Sequence, residues 1–202
     1  MTQPGKRLEG LRVAVLATHG VEESELVEPR KALIEAGARV DVLAPEAGQI
    51  QAFQHMDKSR MIDVDRSLAQ AYAADYDAVM LPGGAVNADK IRTQTTARTF
   101  VSDAQKAGKP IAAICHAPWL LVSAGLVEGR KLTSDESLQD DIRNAGGDWV
   151  DQGVTVDGNL VTSRKPDDIP AFNREMTEVF ARTTADRERE KQAAANSTPV
   201  PR

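Results

Sequence analysis

The chain of 202 residues has one cysteine, no excess of basic residues and no long apolar run. One cysteine excludes an internal disulfide, which is typical of a reducing compartment and leaves the thiol of Cys115 free for chemistry. The net charge of −5 gives no basic surface for a nucleic-acid backbone. No stretch is long enough to span a bilayer, and residues 1–10 lack the apolar centre of a signal peptide. We therefore expect a cytoplasmic protein with neither a nucleic-acid nor a membrane partner.

Recognisable metal and nucleotide motifs are lacking as well. The single cysteine and three scattered histidines do not have the spacing of a zinc site. The sequence contains neither a G-x-G-x-x-G segment nor a Walker loop. The sequence therefore predicts no metal and no cofactor.

Short apolar, β-branched runs alternate with amphipathic segments along the first half of the chain. Apolar stripes with helical spacing occupy 23–36 and 96–107, and each is followed by a glycine that ends a helix. Because strands that alternate with helices imply right-handed crossovers, the predicted fold is an α/β sandwich of three layers around a mostly parallel sheet. The predicted strands are residues 11–18, 39–44, 76–81 and 110–115.

Two segments depart from this alternation and predict hairpins. Residues 49–64 have few helical signals and a polar break at 57–59, which favours a hairpin at the edge of the sheet. Residues 154–162 contain Asp-Gly-Asn, which can supply the positive φ angles of a tight turn.

The last part of the chain predicts two helices and a polar end. A Thr-x-x-Glu spacing has the form of a capping box and predicts a helix over 133–145, and the final helix is predicted over 167–182. We expect one domain over residues 11–182, with polar, flexible ends at 1–10 and 183–202.

Cys115 stands at the end of a predicted strand and is followed at once by His116, Ala117 and Pro118. This is the pattern of a nucleophile elbow, in which a strand delivers one side chain onto a sharp turn before a helix. A helix N-terminus or a cation can lower the pKa of such a thiol from about 8.5 by several units. The alternative is a small apolar residue that fills space. The position at a strand end, beside a histidine, favours the reactive thiol.

Ligands of an open parallel sheet bind outside the carboxyl ends of the strands. The residues that directly follow the predicted strands are therefore further candidates for the site. Gly83 and Gly84 either permit the chain to turn or present amides to a developing oxyanion, with the amide that follows the cysteine as a third donor. Glu22 or Glu23 either favours the helix macrodipole or folds inward to share a proton with the sulfur. His116 adjoins the nucleophile and needs an orienting acid from elsewhere.

Several linked segments carry a family resemblance, and they occur in the order that the family has. The chain resembles the PfpI family, the intracellular protease I or general stress protein branch of the superfamily that includes the parkinsonism-associated deglycase and class I glutamine amidotransferases. The resemblance runs from Arg12 to about Met176. The strongest segments are Leu81-Pro82-Gly83-Gly84, Lys109-Pro110-Ile111-Ala112-Ala113-Ile114-Cys115-His116-Ala117-Pro118, Ser123-Ala124-Gly125-Leu126, Asp141-Ile142-Arg143-Asn144-Ala145-Gly146-Gly147 and Val156-Asp157-Gly158-Asn159-Leu160-Val161-Thr162-Ser163-Arg164.

The resemblance implies a flavodoxin-like α/β sandwich in which Cys115 is the nucleophile, His116 lies beside it and Glu22 is the buried acid that touches the thiol. The family's interface carboxylate, which completes a Cys-His-acid triad across a subunit boundary, falls at Asp89. Here the sequence departs from the founding protease, which has Glu in a loop one residue shorter, and Ala117 replaces the Gly that follows the histidine. A homodimer or a larger homo-oligomer is implied too.

Members of this family are described as cysteine peptidases, as glutathione-independent glyoxalases or protein deglycases acting on methylglyoxal and its adducts, and as stress proteins whose cysteine oxidises. A small oxoaldehyde can form a hemithioacetal with Cys115 while Gly83 and Gly84 hold the oxyanion and His116 shuttles protons. Peptide hydrolysis uses the same groups but needs an open cleft. We expect a stress-response enzyme for reactive carbonyls. A cysteine peptidase (a hydrolase) is the alternative, and a non-enzymatic redox sensor is the second alternative.

Overall fold

The molecule is built around a sheet of seven strands, described here in a computed structural model that covers residues 7–196. The strands in chain order are β1 Arg12–Leu16, β2 Val21–Glu22, β3 Arg39–Ala44, β4 Gly48–Gln54, β5 Asp57–Val64, β6 Arg66–Ser67, β7 Ala78–Leu81, β8 Ile111–Ile114, β9 Lys131–Leu132, β10 Asp148–Trp149, β11 Val154–Asp157 and β12 Leu160–Ser163. The helices are α1 Glu23–Glu35, α2 Ala85–Ile91, α3 Thr95–Lys106, α4 Pro118–Ser123, α5 Gln139–Asn144 and α6 Ile169–Asn196.

The spatial order in the main sheet is β11-β12-β8-β7-β1-β3-β6. All neighbours in it are parallel except the edge pair β11 and β12, which is antiparallel. The predicted α/β fold with a mostly parallel sheet is therefore confirmed. β1, β7 and β8 lie side by side, so the loops that follow them meet at one edge of the sheet.

Two apolar cores lie on the two faces of this sheet. Val13 and Val15 of β1 pack into the core under α1 and α6, and Ala14 and Leu16 pack into the core under α3 and α4. Successive side chains of a strand point to opposite faces, so a strand covered on both faces needs an uninterrupted apolar run. This is why the central strands could be read directly from the sequence.

The hairpin over 49–64 exists, but it lies outside the main sheet. β4 and β5 pair with each other and β4 pairs with β2, which makes a separate sheet of three strands. The edge beside β3 is occupied by β6, so the hairpin has no place there. Its turn falls at His55 and Met56 rather than at the predicted break, and His55 has a φ of 57°. The second predicted hairpin is confirmed as β11 and β12.

The helix predicted over 133–145 is shorter than expected and begins differently. A 3-10 turn, Glu136–Leu138, precedes α5, and the cap is Asp135, whose carboxylate accepts a hydrogen bond of 3.0 Å from the Ser137 amide. Thr133 is fully buried, and its amide donates to Thr162 Oγ1 at 2.9 Å. The capping-box prediction was therefore wrong, because Thr133 belongs to the packed interior.

The ends of the described chain are more ordered than the sequence predicts. Leu8 is fully buried, and its amide donates to the Ala36 carbonyl at 2.9 Å. α6 does not end near residue 182 but continues to Asn196. Residues 1–6 and 197–202, which the sequence analysis assigns to flexible ends, lie outside the described residues. Within residues 7–196, no helix is both long enough and apolar enough to cross a membrane.

Candidate active site

The turn between β8 and α4 holds Cys115 in a left-handed backbone conformation with a φ of 62°. Such a conformation costs a residue with a side chain about 1–3 kcal/mol, so the surroundings must enforce it. The amide of Cys115 donates to the Ser163 carbonyl at 3.0 Å, and its carbonyl accepts from the Asp135 amide at 2.9 Å. The predicted nucleophile elbow is therefore present, and bonds to two neighbouring segments hold it in place.

The carboxyl group that lies against the thiol belongs to Glu25, not to Glu22 as the family resemblance implies. Glu25 lies in the first turn of α1 and is fully buried. Contacts with the Cys115 thiol and the Gly83 amide stabilise its charged form, but neither carboxyl oxygen has a partner in regular hydrogen-bond geometry. A Cβ atom on Gly83 would lie 2.2 Å from Glu25 Oε2 and 2.6 Å from Cys115 Cβ. Glycine at position 83 thus lets the carboxyl approach the thiol.

Glu22 has a different role in the described structure. One of its carboxylate oxygens accepts a hydrogen bond of 2.9 Å from the His55 amide at the tip of the β4–β5 hairpin. The same side chain, with His55 and Pro166, lines a cavity of about 340 Å³. Glu22 therefore anchors the hairpin beside the site.

Burial controls the ionisation of both reacting groups. Burial is the largest of the causes that raise the pKa of Glu25 from 4.5 to about 8, and the charge of Glu22 acts in the same direction. Burial is also the largest cause that raises the pKa of the Cys115 thiol above its ordinary value, followed by the charge of Glu25; a hydrogen bond from the Gly84 amide opposes them. The expectation of a lowered thiol pKa was wrong, because Cys115 is only 9% exposed and the charges of two carboxyl groups, Glu25 and Asp135, raise the pKa of its thiol as well. The neutral thiol is the resting form.

His116 lies between the thiol and a polar turn. Its Nδ1 is 3.1 Å from Cys115 Sγ, and its Nε2 is 3.1 Å from Ser137 Oγ and 3.6 Å from Asp135 Oδ1. The Ser137 hydroxyl donates to Asp135 Oδ1 at 2.7 Å. Sequence reasoning missed Asp135 and Ser137, since their only local signal is an Asp-x-Ser turn of a kind that many loops contain.

Asp89 makes a different contact in the described structure. Its side chain is 64% exposed on α2 and pairs with Arg92 at 3.5 Å. The family resemblance assigns Asp89 to His116 of a neighbouring subunit, and that assignment stays a prediction.

Gly84 allows a close backbone approach at the site. It has a φ of 93°, and a Cβ atom there would lie 2.4 Å from the Gly20 carbonyl oxygen. The Gly84 amide faces the sulfur of Cys115, while the Gly83 amide faces Glu25. Of the two predicted oxyanion donors, Gly84 is therefore the one placed beside the reacting atom. The catalytic roles of both glycines stay predictions.

Asn87 is buried and ties together the loops that follow β1 and β7. Its Oδ1 accepts from the Thr18 amide at 2.7 Å, and its Nδ2 donates to the carbonyls of Pro82 and Gly83 at 3.0 and 3.1 Å. The position of the two glycine amides thus depends on one amide side chain.

Cys115, His116 and Asp135 also offer potential metal ligand atoms that lie within 4.8 Å of one another. However, the two nitrogens of the imidazole face different partners, Nδ1 the thiol and Nε2 the turn. Together with Ser137, these groups form a hydrogen-bonded series in the described structure.

The fold and the site together define an α/β protein of the cysteine nucleophile-elbow type. The profile of the DJ-1/PfpI family matches residues 11–179, and the chain belongs to that family. It is 41% identical over 165 residues to protein/nucleic acid deglycase 2 of Escherichia coli K12, covering 81% of this chain and 94% of the relative. It is 37% identical over 164 residues to the putative cysteine protease YraA of Bacillus subtilis, covering 81% and 95%. The crystal structure of Drosophila melanogaster DJ-1beta superposes with a TM-score of 0.77 at 29% identity, covering 90% of this chain and 97% of that one.

Proposed function

We propose that the protein is a cysteine-dependent enzyme that acts on reactive carbonyl compounds, methylglyoxal and its adducts. The observation that carries the proposal is a thiol in an enforced elbow with an imidazole nitrogen at 3.1 Å and a backbone amide directed at the sulfur. These are a nucleophile, a base and an electrostatic donor in one place. The deglycase name of a relative that matches most of the chain supports the same substrate class.

The first step follows from the proton positions. As Sγ of Cys115 attacks the aldehyde carbon, its proton passes to Nδ1 of His116, and the carbonyl electron pair moves onto oxygen. The amide of Gly84, beside the sulfur, can donate to that oxygen. Return of the proton gives a hemithioacetal. Over the full cycle, methylglyoxal and one water yield lactate, which requires no external oxidant or reductant.

The two alternatives differ in what they require of the site. A peptidase would use the same thiol and imidazole, and the name of one relative favours it as the runner-up. A peroxide sensor needs a thiolate that solvent can reach. Cys115 is 9% exposed, and burial raises the pKa of its thiol, so the resting site disfavours the sensor.

The test incubates the wild-type protein and Cys115→Ser with methylglyoxal and, separately, with casein, and measures lactate and released peptides. We expect lactate from the wild type only and no peptides. Thermal unfolding serves as the control, because Cys115→Ser removes little core volume and should leave the fold intact. Lactate formation by the serine variant at the wild-type rate would contradict the proposal, and casein cleavage without lactate would establish the peptidase.

We further propose that the enzyme works in the cytoplasm as a homodimer or larger homo-oligomer. The support is the single cysteine, which suits a reducing compartment, and the family to which the chain belongs. Size-exclusion chromatography with light scattering measures the subunit number directly, and a monomer at micromolar concentration would contradict the second part.

A further inference from the structure

We infer that Asp135, acting through the hydroxyl of Ser137, fixes the tautomer of His116 and so completes the active site within one chain. The inference rests on the proposed function for its catalytic meaning, but the proton positions that it assigns can be measured without substrate. It identifies Asp135 and Ser137 as positioning residues, in the place where the family resemblance implied Asp89.

The tautomer follows from a count of donors and acceptors. A carboxylate can only accept hydrogen bonds, so at 2.7 Å the Ser137 hydroxyl must give its single proton to Asp135 Oδ1. The hydroxyl oxygen is then left as an acceptor for Nε2 of His116 at 3.1 Å. Nε2 of the neutral imidazole therefore carries the proton, and Nδ1 presents a lone pair to Cys115 Sγ. This is the tautomer that a base needs in order to take the thiol proton.

The polar turn is fixed to the elbow by the backbone as well as by side chains. The Asp135 amide donates to the Cys115 carbonyl at 2.9 Å, so the carboxylate cannot move independently of the nucleophile. Asp135 also caps the 3-10 turn through the Ser137 amide, which holds the hydroxyl near the imidazole. The side chains of His116 and Asp135 are 19% and 29% exposed, whereas that of Asp89 is 64% exposed and engaged with Arg92.

Asp135 also stabilises the imidazolium that forms when Nδ1 accepts the thiol proton. Nε2 of the imidazolium remains a donor to Ser137, and Asp135 Oδ1 lies 3.6 Å from Nε2, close enough to interact with the positive charge. The arrangement has the logic of a Ser-His-Asp triad, with a hydroxyl between the histidine and the acid.

The test compares Asp135→Asn, Ser137→Ala and Glu136→Gln. Asparagine is a good N-cap, so Asp135→Asn should keep the turn while its NH₂ group donates where the carboxylate accepted. Glu136 is exposed in the same turn, and its change to glutamine removes the same charge. Nitrogen-15 NMR of ring-labelled histidine reports which nitrogen carries the proton, and the chain has only three histidines to assign.

We expect Nε2–H at His116 in the wild type and in Glu136→Gln. A shift of at least part of the population to Nδ1–H is expected in Asp135→Asn and Ser137→Ala. In the methylglyoxal assay, Asp135→Asn should lose at least about tenfold in kcat/KM, as removal of an orienting acid does in related triads, while Glu136→Gln stays near wild type.

Nδ1–H in the wild type, or an unchanged spectrum in Asp135→Asn, would overturn the inference. A tautomer change in Asp89→Asn together with an unchanged Asp135→Asn would assign the role to the acid of a neighbouring subunit instead. If the wild type gives no lactate but the spectra behave as expected, the proposed function fails and the assignment of Asp135 stands. Circular dichroism of each variant confirms that the spectra report folded protein.

Discussion

Glu25 makes the stability of the protein depend on pH in a direction opposite to that of most carboxylates. Its pKa is about 8 in the folded chain and 4.5 in its ordinary environment. Below pH 4.5 the carboxyl group is protonated in both the folded and the unfolded chain, so the free energy of unfolding does not change with pH on its account. Between these two values the folded chain keeps a proton that the unfolded chain has lost, so the free energy of unfolding falls as pH rises. Above about 8 the loss is complete.

The size of the effect follows from the difference between the two pKa values. At about 1.4 kcal/mol per pH unit, the full loss is about 5 kcal/mol, and about 4 kcal/mol of it falls between pH 5 and pH 9. A typical domain has only about 5–15 kcal/mol of stability, so this one carboxyl group would dominate the alkaline behaviour. Glu25→Gln removes the titration while keeping the shape of the side chain.

The assay is urea unfolding of Cys115→Ala and of Cys115→Ala/Glu25→Gln at a series of pH values from 5 to 9. The alanine background removes the titration of the thiol from both curves. We expect stability to fall steeply with pH in the first protein and much less in the second, so that the double variant becomes the more stable one in alkali. Glu28→Gln, an exposed change on the same helix, should leave the slope as it is. Parallel curves for the proteins with and without Glu25 would refute the argument.

Two further substitutions test how the loops are held. Gly84→Ala should destabilise the protein by about 2 kcal/mol or more, because a Cβ would lie 2.4 Å from the Gly20 carbonyl oxygen. The control is Gly129→Ala, which should cost about 1 kcal/mol, because Gly129 also has a positive φ but a Cβ there would have nothing within 4 Å. Equal unfolding midpoints for these two variants would contradict the steric reason. Asn87→Ala should cost about 3 kcal/mol and slow lactate formation, because it leaves the Thr18 amide and the Pro82 and Gly83 carbonyls without their partner. A variant with wild-type thermal stability would show that these groups find other partners.

The elbow could be predicted from the sequence because its signals are local. An apolar run of strand length, one cysteine and an immediate helix start lie within ten residues, and no distant contact changes their meaning. The same holds for β11 and β12, whose turn residues and register are set by neighbours in the chain. In both the elbow and this hairpin, the residues that determine the structure lie in the segment that adopts it, so the sequence of that segment was enough to predict it.

The acid at the thiol could not be chosen locally. Glu22 and Glu25 are three residues apart, a separation that would place them on one face of a helix. Which of the two reaches the thiol depends on where α1 begins. Glu22 is not part of α1, because Val21–Glu22 pairs as a strand with Ala52 and Phe53 of the distant hairpin. Asp135 was missed for a similar reason, since its link to the elbow is a backbone bond across twenty residues of sequence. In both cases a long-range backbone pairing decided which carboxyl group reached the site.

The protonated resting state of Cys115 bears on which chemistry the site can perform. A permanent thiolate would be open to peroxide as well as to an aldehyde, because both react with a negative sulfur that they can reach. Here burial keeps the proton on the thiol, and Nδ1 of His116 lies 3.1 Å from the sulfur. The thiol can then lose its proton as the sulfur attacks a carbonyl carbon, while the carbonyl oxygen gains charge beside the Gly84 amide. The free-energy cost of forming the thiolate is therefore offset only when a carbonyl substrate is bound. The same features that slow oxidation of Cys115 thus favour a reaction that begins with a bound carbonyl.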